Sequence, residues 1–277
     1  MLRHLALVSE TARTTPSDLA AVAAAVQKQI VRDFEPIWSE SATMQAFPHL
    51  EDVPSDYSPI ILRDDIHEPG LTGVHRGPAN QPLALVQFDS DWSVTVSHEA
   101  LELLVDPTLD RVVAGNSLKP HQGRVNYLVE VCDPCRGATY DVNGVRVADF
   151  CTPQYYEPVA VAGVRYTFGG TLTAPRQVRG NGYLSWVVPD THEWWMGFVF
   201  KREMQFLPIP APMAGMSVRE AVDRASSRML SREKTKKAQP VVASAVRHAA
   251  ASRATAIRAY VDGVVRAAPP RTRRARR

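Results

Sequence analysis

The stretch Trp92-Ser93-Val94-Thr95-Val96-Ser97-His98-Glu99-Ala100-Leu101-Glu102-Leu103-Leu104-Val105-Asp106 sets charged residues inside an otherwise apolar run. Val94, Leu101, Leu103, Leu104 and Val105 fall on nearly every side of a helix over 92–106, so most of that helix is expected to be buried. Its polar residues are then anomalous. At about 100° per residue, Glu102 lies about 40° round the axis from His98 and one turn along it, with Asp106 one turn further. His98 and Glu102 can therefore converge on one point. An unpaired buried carboxylate costs roughly several kcal/mol, and a divalent cation is one partner that would offset that cost.

Working outward, the upstream chain carries a well-signalled first helix. Thr15 can cap it and Pro16 suits its first turn, while Leu19, Val22, Val26, Ile30 and Phe34 recur at helical spacing as far as Pro36. Strands are expected at 59–62 and 83–88, separated by a turn-rich stretch from His67 to Pro82. Downstream, 126–132 reads as a strand and 139–147 as a hairpin turning at Asn143-Gly144. A β-like run follows at 163–168, and from there to Pro212 irregular structure with short strands is expected. Ser217-Val218-Arg219-Glu220 is a capping box opening a helix to about Leu230. The pattern is α+β. An N-terminal helix and a small mixed sheet accompany the buried helix, and a β-rich second half completes a body over 1–230. A basic tail follows over 231–277, helical across 241–265 and disordered at its Arg-rich end.

With 277 residues, 45% hydrophobic and 22% charged, the composition is that of a globular domain and excludes disorder throughout. No apolar run approaches the roughly 20 residues needed to cross a bilayer. The N-terminal run stops short of a signal-peptide core, so no membrane span and a cytoplasmic location are expected. Cys132, Cys135 and Cys151 cannot all pair and are expected as reduced thiols. Cys132-Asp133-Pro134-Cys135 has metal-knuckle or redox spacing, but a closed zinc site needs four ligands and there is no second pair. Of 32 basic and 29 acidic residues, 13 basic and 2 acidic fall from Ser231 onward, leaving the body near −8 and the tail near +11. Such a tail suits nucleic-acid phosphates, an acidic membrane surface, an acidic partner, or the acidic body itself. With Tyr260 its one aromatic, base stacking is not expected, and nucleic-acid binding would depend strongly on salt.

His98-Glu99-Ala100-Leu101-Glu102 resembles the H-E-x-x-H helix of the zincin metallopeptidases, with Glu102 in place of the second His. The resemblance covers about 15–160, and the order of helix, strands and motif helix agrees with a zincin N-terminal lobe. Gly73-Val74-His75 and 83–88 fall where that family has strands beside its substrate cleft. It implies His98 and Glu102 as metal ligands and Glu99 as the general base. Glutamate-type zincins take a third ligand from a downstream Glu, here Glu130, with Asp106 and Asp133 as alternatives that can instead terminate their elements before proline. Zinc is the implied ion, and manganese, iron or calcium competes because a His/Glu/Glu set is harder than one with two His. Tyr155 or Tyr156 can donate to a developing oxyanion or simply pack in the core. His75 can line a cleft or stand solvated in a loop. The expected activity is metal-dependent hydrolysis of a peptide or amide bond, with a peptide or protein substrate. The competing expectations are a non-catalytic scaffold whose tail docks to nucleic acid or a larger assembly, and an ordinary helix in which His98 pairs with Glu102.

Overall fold

Three strands with buried apolar runs, 5–8, 59–62 and 83–86, organise the first half of the chain. In the computed structural model, which describes residues 2–68, 70–76, 82–108, 110–210 and 221–227, β1 (Arg3–Ser9) runs parallel to both β2 (Ala42–Phe47) and β3 (Tyr57–Arg63). β4 (Gly73–Arg76) forms an edge, antiparallel to β5 (Leu83–Gln87), which is itself parallel to β3. The sheet order is β2-β1-β3-β5-β4. Parallel strands covered on both faces carry continuous apolar runs rather than alternation. One face (Leu5, Leu7, Ile60, Leu62, Ala84, Val86) joins the main core. The other (Val8, Ile61, Val74, Leu85) packs on Leu50, Ile66 and Leu71.

Helix α1 (Pro16–Gln29) crosses between β1 and β2, capped by Thr15 in a reciprocal box with Asp18. The expected stop at Pro36 is not where the helix ends. A π turn over Ile30–Phe34 leads into a short helix α2 (Glu35–Trp38), with Pro36 in its first turn and left-handed Ser39 as its stop. The change of register sets Pro36, which has no N–H to donate, where a missing donor is harmless. Helix α3 (Trp92–Val105) follows β5 and is buried along most of its length, as expected.

The second half is more regular than its sequence suggests. β6 (Val112–Asn116), β7 (Arg124–Leu128), β10 (Tyr183–Val187), β11 (Trp194–Phe200) and β12 (Glu203–Ile209) form an antiparallel sheet ordered β12-β11-β10-β7-β6. β8 (Thr139–Val142) and β9 (Val145–Ala148) form the expected hairpin, with Asn143 and Gly144 at φ 53° and 79°. The stretch beyond residue 168, expected to be irregular with short strands, holds β10, β11 and β12, and the last two pair over seven positions. β11 and β12 turn at Lys201-Arg202, both at positive φ, so a tight hairpin is made without the Asn or Gly that would announce it. The strand expected over 126–132 ends at Leu128, and 163–168 supplies a single bridge, Thr167 to Cys151. Residues 221–227 are helical and bury Ala221, Val222 and Ala225 against the second sheet. The capping box at Ser217 and the whole tail from Ser231 lie outside the described residues.

Gln29 ties the halves together. Its amide donates to Ala148 O (2.8 Å) and accepts from Ser97 Oγ (2.7 Å), which in turn accepts from Ala148 N (3.0 Å). Helices α1 and α3 and the hairpin are thus joined by buried hydrogen bonds one residue from His98.

Candidate metal centre

Helix α3 delivers three of the candidate residues. His98 and Glu102 lie one turn apart, with His98 Nε2 3.4 Å from Glu102 Oε1. His98 keeps 12% of its side chain exposed, facing a cleft of about 380 Å³. Glu99 and Glu102 are buried. Asp106 caps the helix, its two oxygens each accepting a backbone N–H at 3.0 Å from Asp110 and Arg111. It serves the turn.

The segment after β7 brings the other donors beneath α3. Val129 N donates to Arg111 O and Cys151 N to Val131 O, holding residues 129–131 against neighbouring strands. Gly182 permits the approach of a second loop, because a Cβ there would meet the Asp133 and Pro134 carbonyls at 2.5 Å. Asp133 Oδ1 lies 3.3 Å from His98 Nε2. The Glu130 carboxylate, also buried, lies within 4.8 Å of those of Glu102 and Asp133. Tyr156 donates to Glu130 O at 3.1 Å and braces this segment. Tyr155 is buried in the core, packed edge-on against Tyr156 and away from the cleft lining.

His75 is the residue that sequence reasoning undervalues. It stands on β4, not in a loop, and is buried, with Nδ1 3.2 Å from Glu99 Oε2 and 3.6 Å from Glu102 Oε2. The period of two along β4 turns Gly73 and His75 to the same side; an approach this close to α3 needs a residue without Cβ at Gly73. Two-residue alternation around Val74 is the signal that could have found it.

These groups can hold a metal ion. His98, Glu102 and Cys132 form one set of donor atoms, His75, Glu99 and Glu102 a second, and Glu102, Glu130 and Asp133 a third, and Glu102 belongs to all. A tetrahedral shell with bonds of about 2.1 Å has ligand-to-ligand edges of about 3.4 Å. The His98–Glu102 and His98–Asp133 separations match that edge. Electrostatics agree. Burial opposes charge on His98, yet the Glu102 and Asp133 carboxylates outweigh it and hold the imidazole protonated well above its ordinary range. Burial and the Glu102 charge push the Asp133 carboxyl up.

Cys132, Cys135 and Cys151 are buried reduced thiols, as expected. Burial first, then neighbouring acidic groups, raises Cys132 well above the usual thiol range, so it rests as SH. Its backbone N–H donates to Glu102 Oε1 at 3.2 Å.

No helix among the described residues is long and apolar enough to cross a membrane. Comparison of the chain with known protein families, curated proteins and solved structures gives no match in any of the three.

Proposed function

We propose that the chain is a metal-dependent hydrolase with a zincin-like arrangement, acting on a peptide or amide bond. The carrying observation is the meeting of His98 Nε2 with both Glu102 and Asp133 at contact distances suited to one ion. A parallel sheet with an antiparallel edge strand, followed by the motif helix, supports the resemblance. Asp133 suits the third ligand position, because its Oδ1 lies 3.3 Å from His98 Nε2. Zinc fits this set, and two carboxylates beside one imidazole also suit manganese or iron.

A bound divalent ion would supply Lewis acidity to the scissile carbonyl and to the attacking water. The chain supplies the rest. Glu99 lines the cleft beside His98 and takes the proton of the attacking water as the oxygen–carbon bond forms. It returns that proton to the amine nitrogen as the carbon–nitrogen bond breaks. Thr95, Tyr183 and Asp133 wall the same cleft and limit access of bulk water.

A second reading is a sealed, non-catalytic metal staple in a scaffold protein whose basic tail docks to nucleic acid or an acidic partner. Cys132 favours it, since its sulfur lies within 4.8 Å of the His98 and Glu102 donor atoms and could fill the fourth position.

Elemental mass spectrometry of untagged protein tests the common premise. About one equivalent of transition metal is expected, lost in His98→Ala and in Glu102→Ala. Cleavage of fluorescein-labelled casein, abolished in Glu99→Gln with metal retained, then separates hydrolase from staple. Undiminished cleavage by Glu99→Gln would end the proposed mechanism. A sulfur-to-cobalt charge-transfer band in the cobalt-loaded protein would favour the sealed site.

A further inference from the structure

Glu99 is approached on both oxygens from strand β4. Gly73 and His75 are two residues apart and meet the same stretch of α3. Gly73 leaves the room, for a Cβ there would lie 2.3 Å from Glu99 Oε1. His75 supplies the contact. Its Nδ1 is at hydrogen-bond distance from Glu99 Oε2, 3.2 Å, whereas Glu102 Oε2 at 3.6 Å is beyond it. The other ring nitrogen, Nε2, is buried with no hydrogen-bond partner among the described residues.

Protonated on Nδ1, the ring directs an N–H at Glu99 Oε2.

We propose that His75 is the positioning residue of Glu99, gripping Oε2 through Nδ1–H and leaving Oε1, over Gly73, as the atom that receives the proton. This rests on Glu99 being the base of the hydrolase proposed above. Glu102 has a separate donor in Cys132 N–H, so loss of His75 should spare the metal.

The test joins two readouts on the full chain. Long-range ¹H–¹⁵N correlation of the histidine rings at pH 8, with His75 assigned from the signal lost in His75→Leu, should show Nδ1–H. That proton should shift in Glu99→Gln and stay in place in Glu102→Gln. In parallel, His75→Leu should keep its metal and lose at least tenfold in kcat on labelled casein with KM little changed. His75→Asn, whose amide can donate from near the Nδ1 position, should recover most of that loss. A ring with no proton on Nδ1, a second equivalent of zinc lost in His75→Leu, or equal loss in the Leu and Asn variants would overturn the proposal. Should the wild type cleave no casein, the hydrolase reading falls by itself, and the ring spectrum still decides the Glu99 contact.

Discussion

Asp133 Oδ1 lies 3.3 Å from His98 Nε2, although one residue follows a β-strand of the second sheet and the other sits mid-helix beside the first. If that contact marks a shared ion, Asp133→Asn should weaken zinc at least 100-fold, more than the about 10–100-fold typical of outer-shell partners. Glu130→Gln should fall within that lesser range. Competition with a chromogenic chelator would rank the two, and a larger loss in Glu130→Gln would return the third position to Glu130.

Metal uptake should release protons and tighten as pH rises. His98 has its folded pKa raised above 6.5 and Asp133 above 3.8, so the metal-free fold holds protons that the unfolded chain gives up earlier. For His98 the stabilisation is complete below 6.5 and is lost as pH climbs through the raised value. The metal-free protein should therefore melt at lower temperature as pH is taken upward from 6.5. The loaded protein, whose donors have already shed their protons, should change less. Calorimetric titrations in two buffers of different ionisation enthalpy would count the protons displaced.

Asp106 offers a control for the site. Asp106→Ala removes the acceptor of two backbone N–H groups at 3.0 Å and should cost about 1–3 kcal/mol in chemical denaturation. Metal content should hold at the wild-type level, and its loss would restore Asp106 to the ligand set.

Gly73→Ala should destabilise the fold by about 1–3 kcal/mol through overpacking. The added methyl would meet Thr95 Cγ2 at 2.5 Å as well as the Glu99 carboxylate. Urea unfolding of the variant beside Gly115→Ala, which instead meets an arginine side chain, would show whether the effect belongs to the α3 contact.

What could be read in advance, and what could not, follows from where each signal resides. Thr15, the span of α3 and the Asn143-Gly144 turn are local features, and the chain obeys them. β1 has no alternation to betray it, because Leu5 to Val8 are all buried, and a short apolar run at an N-terminus looks equally like a truncated leader. β4 is four residues long inside a turn-rich stretch, so local pattern alone leaves His75 in a loop and only the family resemblance sets it on a strand. The Lys201-Arg202 turn offers no compositional mark. At the site, the convergence of His98 and Glu102 follows from helical spacing alone. The choice between Glu130 and Asp133 depends on how a non-repetitive segment is steered by Gly182, Tyr156 and Cys151, and those contacts are distant in sequence.

Glu102 and His98 come from the first half of the chain, whereas Glu130 and Asp133 follow the first strands of the second sheet. Neither half owns the whole His98, Glu102 and Asp133 set. During synthesis, a ribosome-bound chain ending near residue 110 would offer an ion two or three neighbouring groups on one helix and edge strand, and hold it weakly. An ion held by His98, Glu102 and Asp133 would be captured tightly only once the later segment has docked, and its retention would then report that the two halves have met.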